Sequence, residues 1–156
     1  MNDAVTVYLG LGSNVEPERH FELGLAALRD QFGQVDLSPL HRSAAVGFDG
    51  SDFLNAVARI RTTLSVGALK AWLTELENRH GRDRDQPRYS DRSLDIDILL
   101  YGDAHGVVDG LTLPRDEILE QAYVLKPLAE LAPDLVHPAT GRRMADHWSD
   151  FEGAHS

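Results

Sequence analysis

An α+β domain is predicted by three observations: two segments with helical apolar spacing, strand-like runs before, between and after them, and a 156-residue chain that is 42% hydrophobic. That size and apolar content suit one domain with its own core. Residues 1–156 read as a single unit, with a core over about 5–138, a polar tail beyond Pro138, and no repeat, linker or second core.

Val5-Thr-Val-Tyr-Leu-Gly-Leu11 reads as a first strand. Gly12-Ser13-Asn14 then reads as a turn into a helix whose first turn suits Pro17 and Glu18. Phe21, Leu25, Leu28 and Phe32 recur at helical spacing, and Gly33 is a C-terminal stop. Val35, Leu37, Leu40 and Val46 mark a strand over 35–47 that enters the loop Gly47-Phe-Asp-Gly-Ser51. From Phe53 to Thr63, Leu54, Ala56, Ala58 and Ile60 alternate with Phe53, Asn55, Val57, Arg59 and Arg61, the signature of a strand. Ser65 can cap a second helix with a stripe of Val66, Leu69, Trp72, Leu73 and Leu76. A strand through Asp95 and Asp97, the short run Leu111-Thr-Leu-Pro114, a short helix near 116–121 and a helical stretch over 124–132 follow. The order strand, helix, strand, strand, helix, strand is that of a ferredoxin-like α/β sandwich, a mainly antiparallel sheet with helices covering one face.

The richest chemistry lies in Arg92-Ser-Leu-Asp-Ile-Asp-Ile-Leu-Leu-Tyr-Gly-Asp103. Successive strand residues point to opposite faces, so Asp95 and Asp97 share one face, roughly 6.6 Å apart along the chain, while Leu94, Ile96 and Ile98 point into a core. Paired hard oxygen donors suit Mg2+, which takes one or two carboxylates and completes its shell with water and substrate phosphates. Just upstream, Arg79, Arg82, Arg84, Arg88 and Arg92 crowd one Gly- and Pro-containing segment, where planar guanidinium forks would grip phosphate oxygens. Interleaved Asp83, Asp85 and Asp91 also permit an ordinary salt-bridged loop.

Composition excludes other classes. A formal charge of −10 argues against a general nucleic-acid binder, and the absence of cysteine removes disulfides and thiolate chemistry. No apolar run approaches the roughly 18 residues of a membrane span, and the first residues carry no secretory pattern, so a cytoplasmic protein without membrane contact is expected. Gly10-Leu-Gly12 is only the start of a dinucleotide fingerprint, no P-loop or Gly-x-Ser-x-Gly occurs, and the seven histidines lack zinc-ligand spacing.

Gly10-Leu-Gly-Ser-Asn14, Phe53-Leu-Asn-Ala56, Gly81-Arg82-x-Arg84, Arg92-Ser-Leu-Asp95-Ile-Asp97-Ile-Leu-Leu-Tyr-Gly102, Leu113-Pro114 and Tyr123-Val-Leu-x-Pro-Leu-Ala-Glu-Leu-Ala-Pro133 occur in this order. This set resembles the hydroxymethyldihydropterin pyrophosphokinases of folate biosynthesis over roughly residues 5–138. The resemblance implies transfer of a pyrophosphoryl group from MgATP to the hydroxymethyl group of 6-hydroxymethyl-7,8-dihydropterin, with release of AMP. It implies that Asp95 and Asp97 hold a pair of Mg2+ ions with ATP, that Arg82 and Arg92 neutralise charge in the reaction, and that Asp97 receives the hydroxyl proton. Arg84, Arg88 and Tyr89 match a closing lid over ATP, and Glu77, Thr112 and Arg115 match positions near the nucleotide. Phe53 and Tyr123 match the aromatics that sandwich the pterin, Asn55 the amide that reads its edge, and Ser43, Ala44 and Val46 the groups that complete that edge. The expected partners are ATP and a hydroxymethyl pterin, with a monomer that can stand beside other folate enzymes.

The chain departs from the family pattern near the site. Pro114-Arg115 stands where Pro-His is common, Gln121 stands where an arginine is usual, Tyr89-Ser-Asp-Arg92 replaces Trp-Gly-Pro-Arg, and Ser43-Ala-Ala45 replaces Thr-Pro-Pro or Thr-Ala-Pro. These changes leave room for a paralogue acting on a related pterin, or a catalytically weak MgATP-binding module. An RNA-binding domain shares the topology, but the acidic balance and the aspartate pair oppose it.

Overall fold

Alternating apolar residues at 5–11 and 53–62 build two long neighbouring strands around which the rest of the fold is laid. The computed structural model describes residues 3–43, 52–79 and 93–154. β1 (Val5–Ser13) pairs antiparallel with β4 (Phe53–Thr62) on one side and with β5 (Asp95–Tyr101) on the other. β2 (Asp36–Leu37) and β3 (His41–Ser43) both pair with β4, giving the sheet order β2-β4-β1-β5 with β3 beside β4. This is the ferredoxin-like arrangement expected from the element order. β6 (Gly106–Val108) and β7 (Leu111–Leu113) form a separate hairpin that the sequence reading had only as one short run.

α1 (Pro17–Phe32) starts with its proline in the first turn and ends at Gly33, whose φ of 82° suits glycine. α2 (Val66–Arg79) is capped by Ser65, whose Oγ accepts the Ala68 N–H at 3.2 Å. Phe21, Leu25, Leu28, Leu69, Leu73 and Leu76 bury against Leu9, Ala58, Ile60, Leu94, Ile96 and Ile98 on one face of the sheet. An edge-on contact of Phe32 and Trp72, with centroids 5.0 Å apart, joins the two helices.

Four expectations are corrected. First, Gly12 and Ser13 are not a turn: β1 continues through Ser13, because Gly12 and Ser13 still pair with Asn55 and Leu54. Second, the strand over 35–47 is broken. Pro39 has no N–H to donate, and the Ser38 side chain takes over a ladder position by accepting the Val57 N–H at 2.9 Å. Residues 44–51, including the expected loop at 47–51, lie outside the described residues.

Third, helices cover both faces. Tyr8, Val57, Leu99 and Leu100 point away from the first core and pack beneath α3 (Glu117–Glu120) and α4 (Ala122–Leu131) in a second one with Ile118, Leu125 and Leu128. Fourth, the tail beyond Pro138 carries α5 (Met144–Ala154). Met144, fully buried, with Trp148 and Phe151 in the next two turns, attaches it to that second core.

Candidate active site

Toward one end of the sheet, on the face that carries α4, a row of small and polar residues replaces the apolar ones of the second core. The strand register places Asn55 of β4 beside Gly12 of β1, and Gly12 beside Asp95 of β5. One step inward, Gly10 lies between Val57 and Asp97. Residues paired across a ladder share a face, so Phe53, Asn55, Asp95 and Asp97 lie on one surface with a glycine channel between them. A Cβ at position 12 would stand 3.4 Å from Asn55 Oδ1 and 3.7 Å from the Phe53 ring, ordinary contact distances, so glycine keeps the channel open without being sterically required.

On the β4 side, the Asn55 side chain donates to Ser43 Oγ at 2.7 Å and reaches the His41 carbonyl at 3.5 Å. Asn55 is buried, and these bonds fix which way its amide points. Ser43 is the register partner of Phe53, so the three residues form one patch. His41 Nε2 meets Glu130 Oε1 of α4, tying this edge to the helix above it. Tyr123 sits in the first turn of α4, partly buried against the second core, and the packing of α4 on β3 and β4 brings it over the same face.

On the β5 side, Glu77 is almost fully buried, and its Oε2 accepts the Ile96 N–H at 2.9 Å. β5 is the outer strand of the described sheet, and the Glu77 carboxylate supplies an acceptor that no further strand provides. Glu77 thereby braces the residue between the two aspartates. Burial, and next the Asp95 carboxylate, push the Asp97 pKa up; Arg115 and Lys70 oppose this and Glu117 adds to it. A pair of carboxylates so placed favours a cation. Among the described residues no cluster of three or more His, Asp or Glu forms a closed metal cage, so any ion here would need ligands from substrate or water.

Arg115 is tied to β5 by its own N–H, which donates to the Leu99 carbonyl at 3.0 Å. Its guanidinium meets Glu117 through Nε to Oε2 at 3.0 Å and Nη2 to Oε1 at 3.2 Å. Burial works against its charge, but the Glu117 bridge and the fields of Asp97, Glu117 and Asp95 hold its pKa above the ordinary arginine value. Thr112 is exposed on β7, a strand that borders β5.

The described structure therefore brings Ser43, Phe53, Asn55, Asp95 and Asp97 onto one surface, with Tyr123 over it and Arg115 beside it. Ala44, Val46, Arg82, Arg84, Arg88, Tyr89 and Arg92 lie outside the described residues. Two groups that act on Asp97, Lys70 and Glu117, escaped the sequence reading. Lys70 stands seven residues before Glu77, two helical turns along the same flank of α2, a spacing that could have flagged it. Glu117 stands two residues after Arg115, and only the fold turns that spacing into an ion pair.

A family model described as 7,8-dihydro-6-hydroxymethylpterin-pyrophosphokinase matches residues 8–133. The 2-amino-4-hydroxy-6-hydroxymethyldihydropteridine pyrophosphokinase of Haemophilus influenzae is 36% identical over 153 residues, covering 92% of this chain and 95% of that protein. The protein of the same name from Pseudomonas aeruginosa is 38% identical over 144 residues, covering 90% and 88%. The folic acid synthesis protein fol1 of Pneumocystis carinii is 33% identical over 149 residues, which cover 94% of this chain but 20% of that longer protein. Among solved structures, Plasmodium falciparum HPPK-DHPS with pterin and p-hydroxybenzoate shares the fold, with a TM-score of 0.74 at 14% identity. The match covers 99% of this chain, which spans less than half of the Plasmodium one, at 44%. With its sheet, its channel and these relatives together, the chain belongs to the hydroxymethyldihydropterin pyrophosphokinase family, transferases that move a pyrophosphoryl group in folate biosynthesis.

Proposed function

We propose that the face carrying Asn55, Gly12 and Asp95 holds both substrates of this reaction at once, 6-hydroxymethyl-7,8-dihydropterin over β4 and ATP over β5. The observation that carries this reading is the three-strand register, which sets Asn55 and Asp95 two strand spacings apart, roughly 10 Å. That separation is the length scale of a pterin ring ending in a hydroxymethyl group that meets a phosphate.

The pterin stacks between Phe53 and Tyr123, and its polar edge meets Asn55 together with Ser43 and the backbone of Ala44 and Val46. Asn55 is already oriented by Ser43, so little ordering remains for binding to do. Asp95 and Asp97 hold Mg2+, as a pair of ions with the triphosphate, and the ions offset charge on the phosphate oxygens when bound. Their acceptor-only oxygens and mutual repulsion fit that group.

The pterin hydroxyl oxygen attacks the β-phosphorus in line. A new O–Pβ bond forms, the bond from Pβ to the bridging oxygen of the α-phosphate breaks, and its electron pair leaves on AMP. The hydroxyl proton passes to the Asp97 carboxylate. Arg115, Arg82 and Arg92 balance the charge that builds on the leaving phosphate, and Glu77 and Thr112 line the nucleotide side. Arg84, Arg88 and Tyr89 belong to a segment that closes over ATP and excludes water.

The two halves of the face can be tested separately by calorimetry with the pterin and with Mg2+ plus α,β-methylene ATP. Asn55→Ala is expected to weaken pterin binding by at least about tenfold, the effect of roughly 1.4 kcal/mol, and to leave the nucleotide analogue unchanged. Asp95→Ala is expected to do the reverse. Loss of both ligands from either variant without loss of fold would contradict the division of the face.

A further inference from the structure

Arg115 and Glu117 lie two residues apart, yet their ion pair is more than a surface contact. The Arg115 and Glu117 side chains are partly buried, with 27% and 36% of their surface exposed, and the pair is bidentate. It engages one edge of the guanidinium, Nε with Nη2, and leaves Nη1 and the second Nη2 hydrogen as an outward fork. Among the described residues no further bond is made by the Arg115 side chain. Its main chain, meanwhile, is pinned to Leu99, two residues past Asp97 on the same strand.

Arg115 thus has two competing anions. One is Glu117, which it grips. The other is Asp97, whose carboxylate makes no hydrogen bond or ion pair among the described residues and acts on Arg115 through its field. A guanidinium on a flexible stem, released beside such a carboxylate, would close onto it. An arginine lying on Asp97 would occupy the oxygens that a divalent ion needs.

Resting on the assignment of this face to MgATP, we propose that Glu117 is a positioning residue that keeps the Arg115 guanidinium off the Asp95 and Asp97 carboxylates and presents its free fork to a nucleotide phosphate. Glu117 acts through Arg115 and touches neither the reacting atoms nor the metal. Removing the partner of a metal-ligating side chain typically costs about 10–100-fold in metal affinity, and letting a competing guanidinium onto the ligating carboxylates is expected to act on the same scale.

The test titrates Mg2+ into the full chain at a fixed concentration of α,β-methylene ATP and reads analogue binding. Glu117→Gln is expected to raise the Mg2+ concentration at half-saturation about tenfold, while pterin affinity and the melting temperature stay near wild type. Glu117→Asp, which keeps the charge on a shorter arm, is expected to give a smaller shift, and it carries the test if the glutamine variant is unstable. The decisive comparison uses Arg115→Ala as background. There, adding Glu117→Gln is expected to change the Mg2+ requirement by less than about twofold, because nothing is left to restrain. An unchanged Mg2+ requirement in the single variants, or a shift retained in full without Arg115, would overturn the proposal. If wild type binds the analogue yet forms no AMP from ATP and pterin, the pyrophosphokinase reading fails by itself and the Mg2+ shift can still be read.

Discussion

Asp97 shows how a site residue can work against the fold that carries it. Its carboxyl is buried beside Asp95 and held above the ordinary pKa range, so in the absence of a cation each ionised aspartate destabilises the other. Asp97→Asn removes that conflict at little cost in volume. The variant is expected to lose pterin-dependent turnover while its metal-free form melts about 2–4 °C higher, the shift of roughly 1 kcal/mol in a domain of this size. Thermal melts with and without Mg2+ and α,β-methylene ATP check it: the ligands should raise the wild-type melting temperature and leave the variant unmoved. An apo variant less stable than wild type would mean that Asp97 carries a structural bond instead. Residues of this kind were legible early, because two acids in an apolar strand, and Phe53 with Asn55 two apart on another, need only strand alternation to be placed on a face. Lys70 and Glu117 were not, since their influence on Asp97 comes through space from α2 and α3 and no single-element pattern encodes it.

The elements were legible in proportion to how clean their periodicity was. α1 and α2 carry unbroken apolar stripes with a proline start and a serine cap, and both formed where expected. β5 instead runs Ile96, Asp97, Ile98, Leu99, Leu100, and the loss of alternation after Ile98 marks a shift in register against β1 between Tyr8 and Leu9. That irregularity turns Leu100 toward the second core beside Leu99, which faces it by ordinary alternation after Asp97. α5 was missed although Met144, Trp148 and Phe151 stand at helical spacing, because polar residues dominate the rest of its length. Its attachment is expected to depend on pH. His137 is buried, its Nδ1 accepts the Ala139 N–H at 3.1 Å, and its ring lies 5.6 Å from that of His147, edge to face. Burial, followed by His147 and His105, lowers the His137 pKa, and burial and Arg142 lower that of His147. A histidine pKa lowered by folding means that stability is fully present above the unfolded value near 6.5 and is lost as pH falls below it toward the folded value. The chain is therefore expected to melt at lower temperature as pH drops from about 7 to about 5, with a shallower slope in His137→Asn, whose amide oxygen can still accept the Ala139 N–H. An identical slope in that variant would remove His137 from the effect.

At the scale of the whole molecule, two apolar cores lie on opposite faces of one sheet, and the face proposed for the substrates lies where the second core gives way to Asn55, Asp95 and Asp97 among the described residues. No helix among the described residues is long and apolar enough to cross a membrane. The same domain accounts for nearly all of the Haemophilus influenzae protein and about a fifth of the Pneumocystis carinii one, so the unit recurs both as a chain of its own size and inside longer folate-synthesis chains. We propose a monomer for this chain, and light scattering of the purified protein tests its oligomeric state. On the proposed reading, the departures at Arg115 and Gln121 are expected to alter rate and nucleotide affinity, while the register of Asn55, Gly12 and Asp95 sets which reaction occurs. The most direct measurement incubates the purified chain with MgATP and 6-hydroxymethyl-7,8-dihydropterin and separates AMP from ADP among the products. AMP formed in step with a pterin diphosphate is the expected result; ADP in its place, or AMP formed without dependence on the pterin, would contradict it.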